Sequence, residues 1–184
     1  MRIIAERAGS LGRLVEQLLL GSRAGADQLP VSNGPFDLGA VLRGAATAFR
    51  PLSDKHTVVA DIPDDLPAAS GDTMATDIIV GQLLENAFKY SPDGGTVMMR
   101  AQVTGAWIEV TVEDEGIGIA DGDHERIFDR FYQGETGDRR RFGGVGIGLF
   151  IVRRLAEAQY GEVTANSRPA GGTVMRLRLR PASC

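Results

Sequence analysis

Two β-rich runs, Thr96 to Val103 and Trp107 to Glu113, are separated only by Thr104-Gly105-Ala106. So short a connection joins antiparallel strands, because parallel neighbours need a crossover of about a dozen residues or more. The middle of the chain is therefore read as a hairpin, and a doubly wound parallel fold is disfavoured. Helical patterns flank it. Asp37 is a candidate N-cap for a helix carrying Leu38, Val41, Leu42, Ala45 and Phe49 that stops before Pro51. Asp72 is another, for a longer helix with Met74, Ile78, Ile79, Leu83, Leu84, Ala87 and Phe88 that ends at Ser91-Pro92-Asp93-Gly94-Gly95. Thr57 to Ile62 reads as a strand, Ile147 to Gln159 as a helix, and Glu162 to Asn166 with Thr173 to Leu179 as two last strands. The fold class is α+β, with a largely antiparallel sheet covered by helices on one face.

The 184 residues suit one domain with a short appendage. Residues 3–20 place Ile4, Leu11, Leu14, Val15, Leu18 and Leu19 at helical spacing, which predicts an amphipathic helix in need of a partner. A glycine-containing stretch with Pro30 and Pro35 follows and divides the chain into residues 1–28, a linker over 29–35, and a main domain over 36–184. The net charge of −4 argues against a general nucleic-acid binder, so any anion site must be built locally. A single cysteine, Cys184, leaves no disulfide framework, and a reducing, cytoplasmic setting is expected. No apolar run long enough to span a membrane occurs, so no membrane contact is expected from these residues, whatever a longer parent carries.

Three clusters could carry chemistry. Gln82, Asn86 and Lys89 fall on one stripe of the helix from Asp72. The stripe is either a solvated face or a place where an amide oxygen holds a hard cation such as Mg²⁺, with Lys89 near phosphate. Asp114-Glu115-Gly116-Ile117-Gly118 follows a strand. It is either a plain turn or a carboxylate acceptor beside a backbone that a flat ligand with an amine donor, such as adenine, can approach. Gly143-Gly144-Val145-Gly146-Ile147-Gly148 runs into a helix N-terminus, as a hinge or as a nest of backbone N–H groups for phosphate. Between the last two clusters, residues 121–142 suggest a lid pinned by Ile127 to Tyr132, while Arg139, Arg140 and Arg141 read as solvated charges.

In this order the clusters resemble those of the catalytic ATP-binding domain of bacterial two-component sensor histidine kinases, in the Bergerat superfamily. Gln82-Leu-Leu-Glu-Asn86-Ala-Phe-Lys89-Tyr90 is similar to the N box, Asp114-Glu-Gly116-Ile-Gly118 to the first glycine box, and Phe128-Asp-Arg130-Phe131 to the F box. Gly144-Val-Gly146-Ile-Gly148-Leu149 is similar to the second glycine box, and Gly171-Gly172-Thr173 to the closing strand motif. The resemblance covers residues 36–182 and implies a two-layer α/β sandwich with a mixed, mostly antiparallel sheet. It implies ATP and Mg²⁺ as cofactors, with Asn86 on the metal and Asp114 on the adenine amine. Lys89 and Tyr90 would lie against nucleotide, and Gly116 and Gly118 beside the base. Gly144, Gly146, Gly148 and Leu149 would lie at the phosphate end, Arg130 near the transferred phosphate, and Thr173 under the adenine pocket.

Gln82 stands where the hydrolysing branches of the superfamily hold a general-base glutamate, and an amide takes no proton at neutral pH. Glu85 lies about 100 degrees round the helix from Asn86. A kinase is therefore favoured over an ATPase, with a non-catalytic nucleotide-dependent regulatory module as the other alternative. Residues 11–22 resemble the second helix of the family's dimerisation and histidine-phosphotransfer hairpin, which implies a homodimer through that helix. The implied partners are a histidine on a hairpin supplied from outside residues 1–184 and a response regulator whose aspartate receives the phosphate. His56 and His124 are not expected to be the acceptor. Val145 and Gln133 depart from the family's usual serine or threonine and arginine, which implies weaker lid contacts to phosphate.

Overall fold

A computed structural model describes residues 31–133 and 145–182. The N-terminal helix expected over residues 3–20 and the triple arginine at 139–141 lie outside the described residues. Helix α1, Leu38–Phe49, begins where the Asp37 carboxylate accepts the Ala40 N–H at 2.8 Å, and it gives way to a 3₁₀ turn over Arg50–Leu52, where Pro51 can donate no N–H. Helix α2, Thr73–Lys89, is capped in the same way by Asp72, which accepts the Ala75 N–H at 2.8 Å. Helix α3 spans Gly148–Ala158.

The strands are β1 Gly34–Phe36, β2 His56–Asp61, β3 Ala69–Gly71, β4 Gly95–Thr104, β5 Trp107–Glu113, β6 Glu162–Ser167 and β7 Thr173–Pro181. They run in the order β1-β3-β7-β5-β4-β2, with β6 also paired to β7. β2 and β4 are parallel and the remaining pairs antiparallel, so the sheet is mixed and mostly antiparallel as expected. The β4–β5 hairpin pairs Thr104 with Trp107. β1 and β3 carry no sequence signal, because three residues are too few for an alternating pattern to emerge. Gly34 and Pro35, inside the stretch read as linker, thus enter the sheet.

Strand alternation explains the single helical layer. Val97, Met99, Ile108, Val110, Val112, Met175, Leu177 and Leu179 point inward and are buried. Against them α2 lays Ile79, Leu83 and Leu84, all fully buried, each worth about 1.5–3 kcal/mol of apolar burial. α2 lies between α1 and α3, over β4 and β5. Met74 and Ile78, part of the expected apolar pattern, share the stripe facing away from this core, and Met74 is 77% exposed. The alternate strand positions form a charged outer face. Glu109 is buried there between Arg178 Nε at 2.9 Å and Arg176 Nε at 3.2 Å. Burial works against the Glu109 carboxylate, but hydrogen bonds and charge from Arg178 and Arg176 outweigh it and hold it below the usual carboxylate range.

Candidate nucleotide-binding site

The three clusters meet along one edge of α2. At its C-terminal end, Tyr90 offers its carbonyl oxygen to the Ile117 N–H at 3.0 Å. Gly116 allows this approach, since a Cβ there would lie on the Tyr90 carbonyl oxygen and 2.6 Å from Ser91 Oγ. Two turns towards the N-terminus, Gln82 Nε2 donates to Asn86 Oδ1 at 3.3 Å. Beyond it, α3 begins so close that a Cβ on Gly148 would stand 2.7 Å from Gln82 Cδ. From Gln82 to Tyr90 the helix rises about 12 Å.

Asp114 is 4% exposed, at the end of β5. Its N–H donates to the Thr173 carbonyl at 2.9 Å, and its Oδ1 accepts the Gly116 N–H at 2.8 Å. Burial pushes the Asp114 carboxyl above the ordinary carboxylate range, although hydrogen bonds from the Gly116 and Thr173 backbone and the charge of Arg168 pull the other way. The Ser91 hydroxyl is near enough to lower it further, yet Ser91 Oγ is buried without a hydrogen-bond partner among the described residues. A buried carboxylate beside an orphaned hydroxyl is a polar pair that a ligand carrying donor and acceptor groups would satisfy. Thr173, itself buried, braces this corner, and Gly118 at φ 72° turns the loop past Gly172.

The other end of the site is built from the α3 entry. Ile147 occupies the N-cap and makes no side-chain cap bond to the first backbone N–H groups of α3. Gly146, at φ 70°, offers its carbonyl to the Phe131 N–H at 2.8 Å. Phe131 itself adopts φ 64°, rare for a bulky side chain. The residues flanking 134–144 are thus pinned together. Arg130 is exposed beside them, its guanidinium 4.8 Å from the Phe131 ring centroid and 6.0 Å from that of Phe150 on α3. Leu149 packs against the core, and Lys89 Nζ lies 5.0 Å over the Tyr90 ring. Gly144 and residues 134–142 of the expected lid lie outside the described residues.

Contacts made by three residues escaped the sequence pattern. Glu115 Oε2 accepts the Thr96 N–H at 2.9 Å, which ties the first glycine cluster to β4. Arg168 Nη1 donates to the Asp114 carbonyl oxygen at 2.9 Å, from 54 positions away. His56, stacked on Phe88 at 4.4 Å, donates from Nε2 to the Ser91 carbonyl at 2.9 Å and meets Ser53 Oγ through Nδ1 at 2.7 Å. His124 instead pairs with Ser167 Oγ at 2.9 Å. Among the described residues no cluster of three or more His, Cys, Asp and Glu could hold a metal.

Residues 71–183 match the family model for histidine kinase-, DNA gyrase B- and HSP90-like ATPases. The chain is 34% identical over 175 residues to the sensor-like histidine kinase SenX3 of Mycobacterium tuberculosis, covering 94% of this chain and 42% of that protein. It is 32% identical over 179 residues to the histidine protein kinase DivJ of Caulobacter vibrioides, covering 96% of this chain and 30% of the relative. The chain thus spans well under half the length of these relatives. Full-length ShkA, solved in complex with AMPPNP, superposes with a TM-score of 0.81 at 26% identity, over 97% of this chain and 38% of that one. The mycobacterial sensor histidine kinase MprB shares the fold, with a TM-score of 0.70 at 24% identity over 83% of this chain and 99% of its own.

Proposed function

This chain belongs to the family of histidine kinase-, DNA gyrase B- and HSP90-like ATPases, and from that premise we propose that it is the ATP-binding kinase domain of a two-component sensor histidine kinase. The observation that carries the reading is the gathering of both glycine clusters along α2, with Gly148 against Gln82 and Gly116 against Tyr90. Adenine lies at the Tyr90 end, its amine donating to the Asp114 carboxylate and its edge near the Ser91 hydroxyl. The phosphates lie at the Gln82 end, facing the backbone N–H groups at the start of α3. Lys89 and Arg130 offset charge on the phosphate oxygens. Asn86 Oδ1, which keeps a second lone pair after accepting from Gln82, would hold Mg²⁺ with few other protein ligands, and the bound ion supplies further charge neutralisation.

Gln82 cannot deprotonate water, so the chain aligns the γ-phosphoryl group for an outside nucleophile. A histidine ring nitrogen forms the new N–P bond as the bond to the ADP oxygen breaks. The acceptor histidine belongs to a dimerisation hairpin, and a response-regulator aspartate receives the phosphate next. The test mixes the chain with γ-labelled ATP and a separately expressed hairpin domain. Acid-labile label on the hairpin histidine, lost with Asn86→Ala, is the expected result. Multiple-turnover phosphate release without a hairpin would overturn the kinase reading in favour of hydrolysis.

A further inference from the structure

We propose that Arg168 is a positioning residue for base recognition: its guanidinium grips the Asp114 carbonyl and keeps the carboxylate beside it placed and charged as an acceptor. The inference rests on the reading of Asp114 as the adenine-binding group. Arg168 opens the β6–β7 turn, where its N–H donates to the Gly172 carbonyl at 3.1 Å and its own carbonyl accepts the Gly171 N–H at 3.1 Å. From there the side chain folds back, Nη1 reaching the Asp114 carbonyl oxygen at 2.9 Å and Nε standing 3.9 Å from Glu113 Oε2. Gly172, at φ 95°, closes the same corner, and a Cβ on it would stand 2.8 Å from the Asp114 carbonyl carbon. Asp114 is therefore held by its N–H through Thr173 and by its carbonyl through Arg168. Neither contact occupies the carboxylate.

The charge matters as much as the grip. Burial favours the neutral acid, which presents an O–H donor and suits the amine of adenine poorly, and the positive charge of Arg168 opposes that protonation. The other ionisable groups around the site are Glu113 and Glu115 on the same segment, Lys89 and Tyr90 at the end of α2, and His56 behind the Ser91 carbonyl. Glu113 is also paired with Arg100 at 2.8 Å and Glu115 is tied to the Thr96 N–H, whereas Arg168 reaches Asp114 itself from the β6–β7 turn.

The test is ATP affinity of the whole chain by calorimetry between about pH 8 and about pH 5. The acid-side fall in affinity that the unaltered chain shares with Asp114→Asn belongs to groups other than Asp114, the nucleotide's own phosphates among them, and the part that Asp114→Asn lacks is the limb that belongs to Asp114. Arg168→Gln is expected to move the limb to higher pH, so that its affinity deficit widens to about tenfold as pH falls. Arg168→Met, which keeps the apolar stem, gives the same displaced limb and serves if the glutamine variant does not fold. Arg168→Lys leaves the limb in place while weakening affinity evenly, because it retains the charge but not the fork. The ATP over GTP preference narrows at low pH in the neutral variants, since guanine presents an acceptor where adenine presents its amine. Equal weakening at every pH in the neutral variants would make Arg168 a brace of the turn only and overturn the proposal. An unaltered chain that binds no ATP would instead overturn the reading of Asp114 on which it stands.

Discussion

Gly116→Ala isolates the close approach that joins the first glycine cluster to α2. The φ of Gly116 is not in the left-handed region, so alanine can adopt the backbone and the cost comes from space. The new Cβ would fall on the Tyr90 carbonyl oxygen and 2.6 Å from Ser91 Oγ, neither of which is the loose end of a flexible side chain. The loop must retreat, stretching the Ile117–Tyr90 hydrogen bond of 3.0 Å and the Gly116–Asp114 bond of 2.8 Å. Overpacking costs about 1–3 kcal/mol and a weakened hydrogen bond about 0.5–1.5 kcal/mol, so the whole is about 2–4 kcal/mol. At about 2–4 °C per kcal/mol for a chain of this size, the melting temperature drops by roughly 4–16 °C. Gly118→Ala is the comparison. Its φ of 72° strains alanine, but the nearest atom would stand 3.4 Å away, so it costs only about 1 kcal/mol. Thermal melts of both variants, followed by ATP titration, read the difference. A Gly116→Ala melt no lower than that of Gly118→Ala would refute the close-approach argument.

The remaining predictions concern charge and metal. The Asp114 carboxyl is raised in the folded state, so between its ordinary value and the raised one the fold holds more protons than the unfolded chain, and stability falls as pH rises through that window. Asp114→Asn should therefore melt at or above the unaltered chain at pH near 7, with no gain below the ordinary carboxylate range, while ATP affinity drops roughly ten- to hundredfold. A lower melt at neutral pH would contradict the burial argument. Gly148→Ala should push the Gln82 amide away from Asn86, because the new Cβ would stand 2.7 Å from Gln82 Cδ. Gln82 is flexible and alanine favours helices, so stability should change by less than about 1 kcal/mol while the Mg²⁺ dependence of ATP affinity changes. Unaltered Mg²⁺ dependence would sever the link between α3 and the metal ligand.

Much of this arrangement was legible in the sequence for local reasons. Asp37 and Asp72 announced their helices because capping is a contact over three residues, and Thr104-Gly105-Ala106 announced the hairpin because the loop was too short for anything else. The polar stripe on α2 followed from helical periodicity alone. What remained hidden was long-range. β1 and β3 are three-residue strands that exist only because they complete the edge beyond β7. Glu115 reaches Thr96, Arg168 reaches Asp114 and Gln159 Oε1 accepts the Asp72 N–H at 2.8 Å, each a contact that no spacing rule encodes. Met74 misled for the converse reason, since it shares the helical pattern of the core without facing it.

The central claim is that a nucleotide lies along α2 with its base at Asp114 and its metal at Asn86. Calorimetric titration of ATP into the purified chain, with and without Mg²⁺ and beside Asn86→Ala and Asp114→Ala, tests it most directly. The account predicts adenine-selective binding that Asp114→Ala weakens with or without the metal, and whose Mg²⁺ dependence alone disappears in Asn86→Ala. A folded chain that binds ATP with the same affinity and the same Mg²⁺ dependence in all three forms would contradict it.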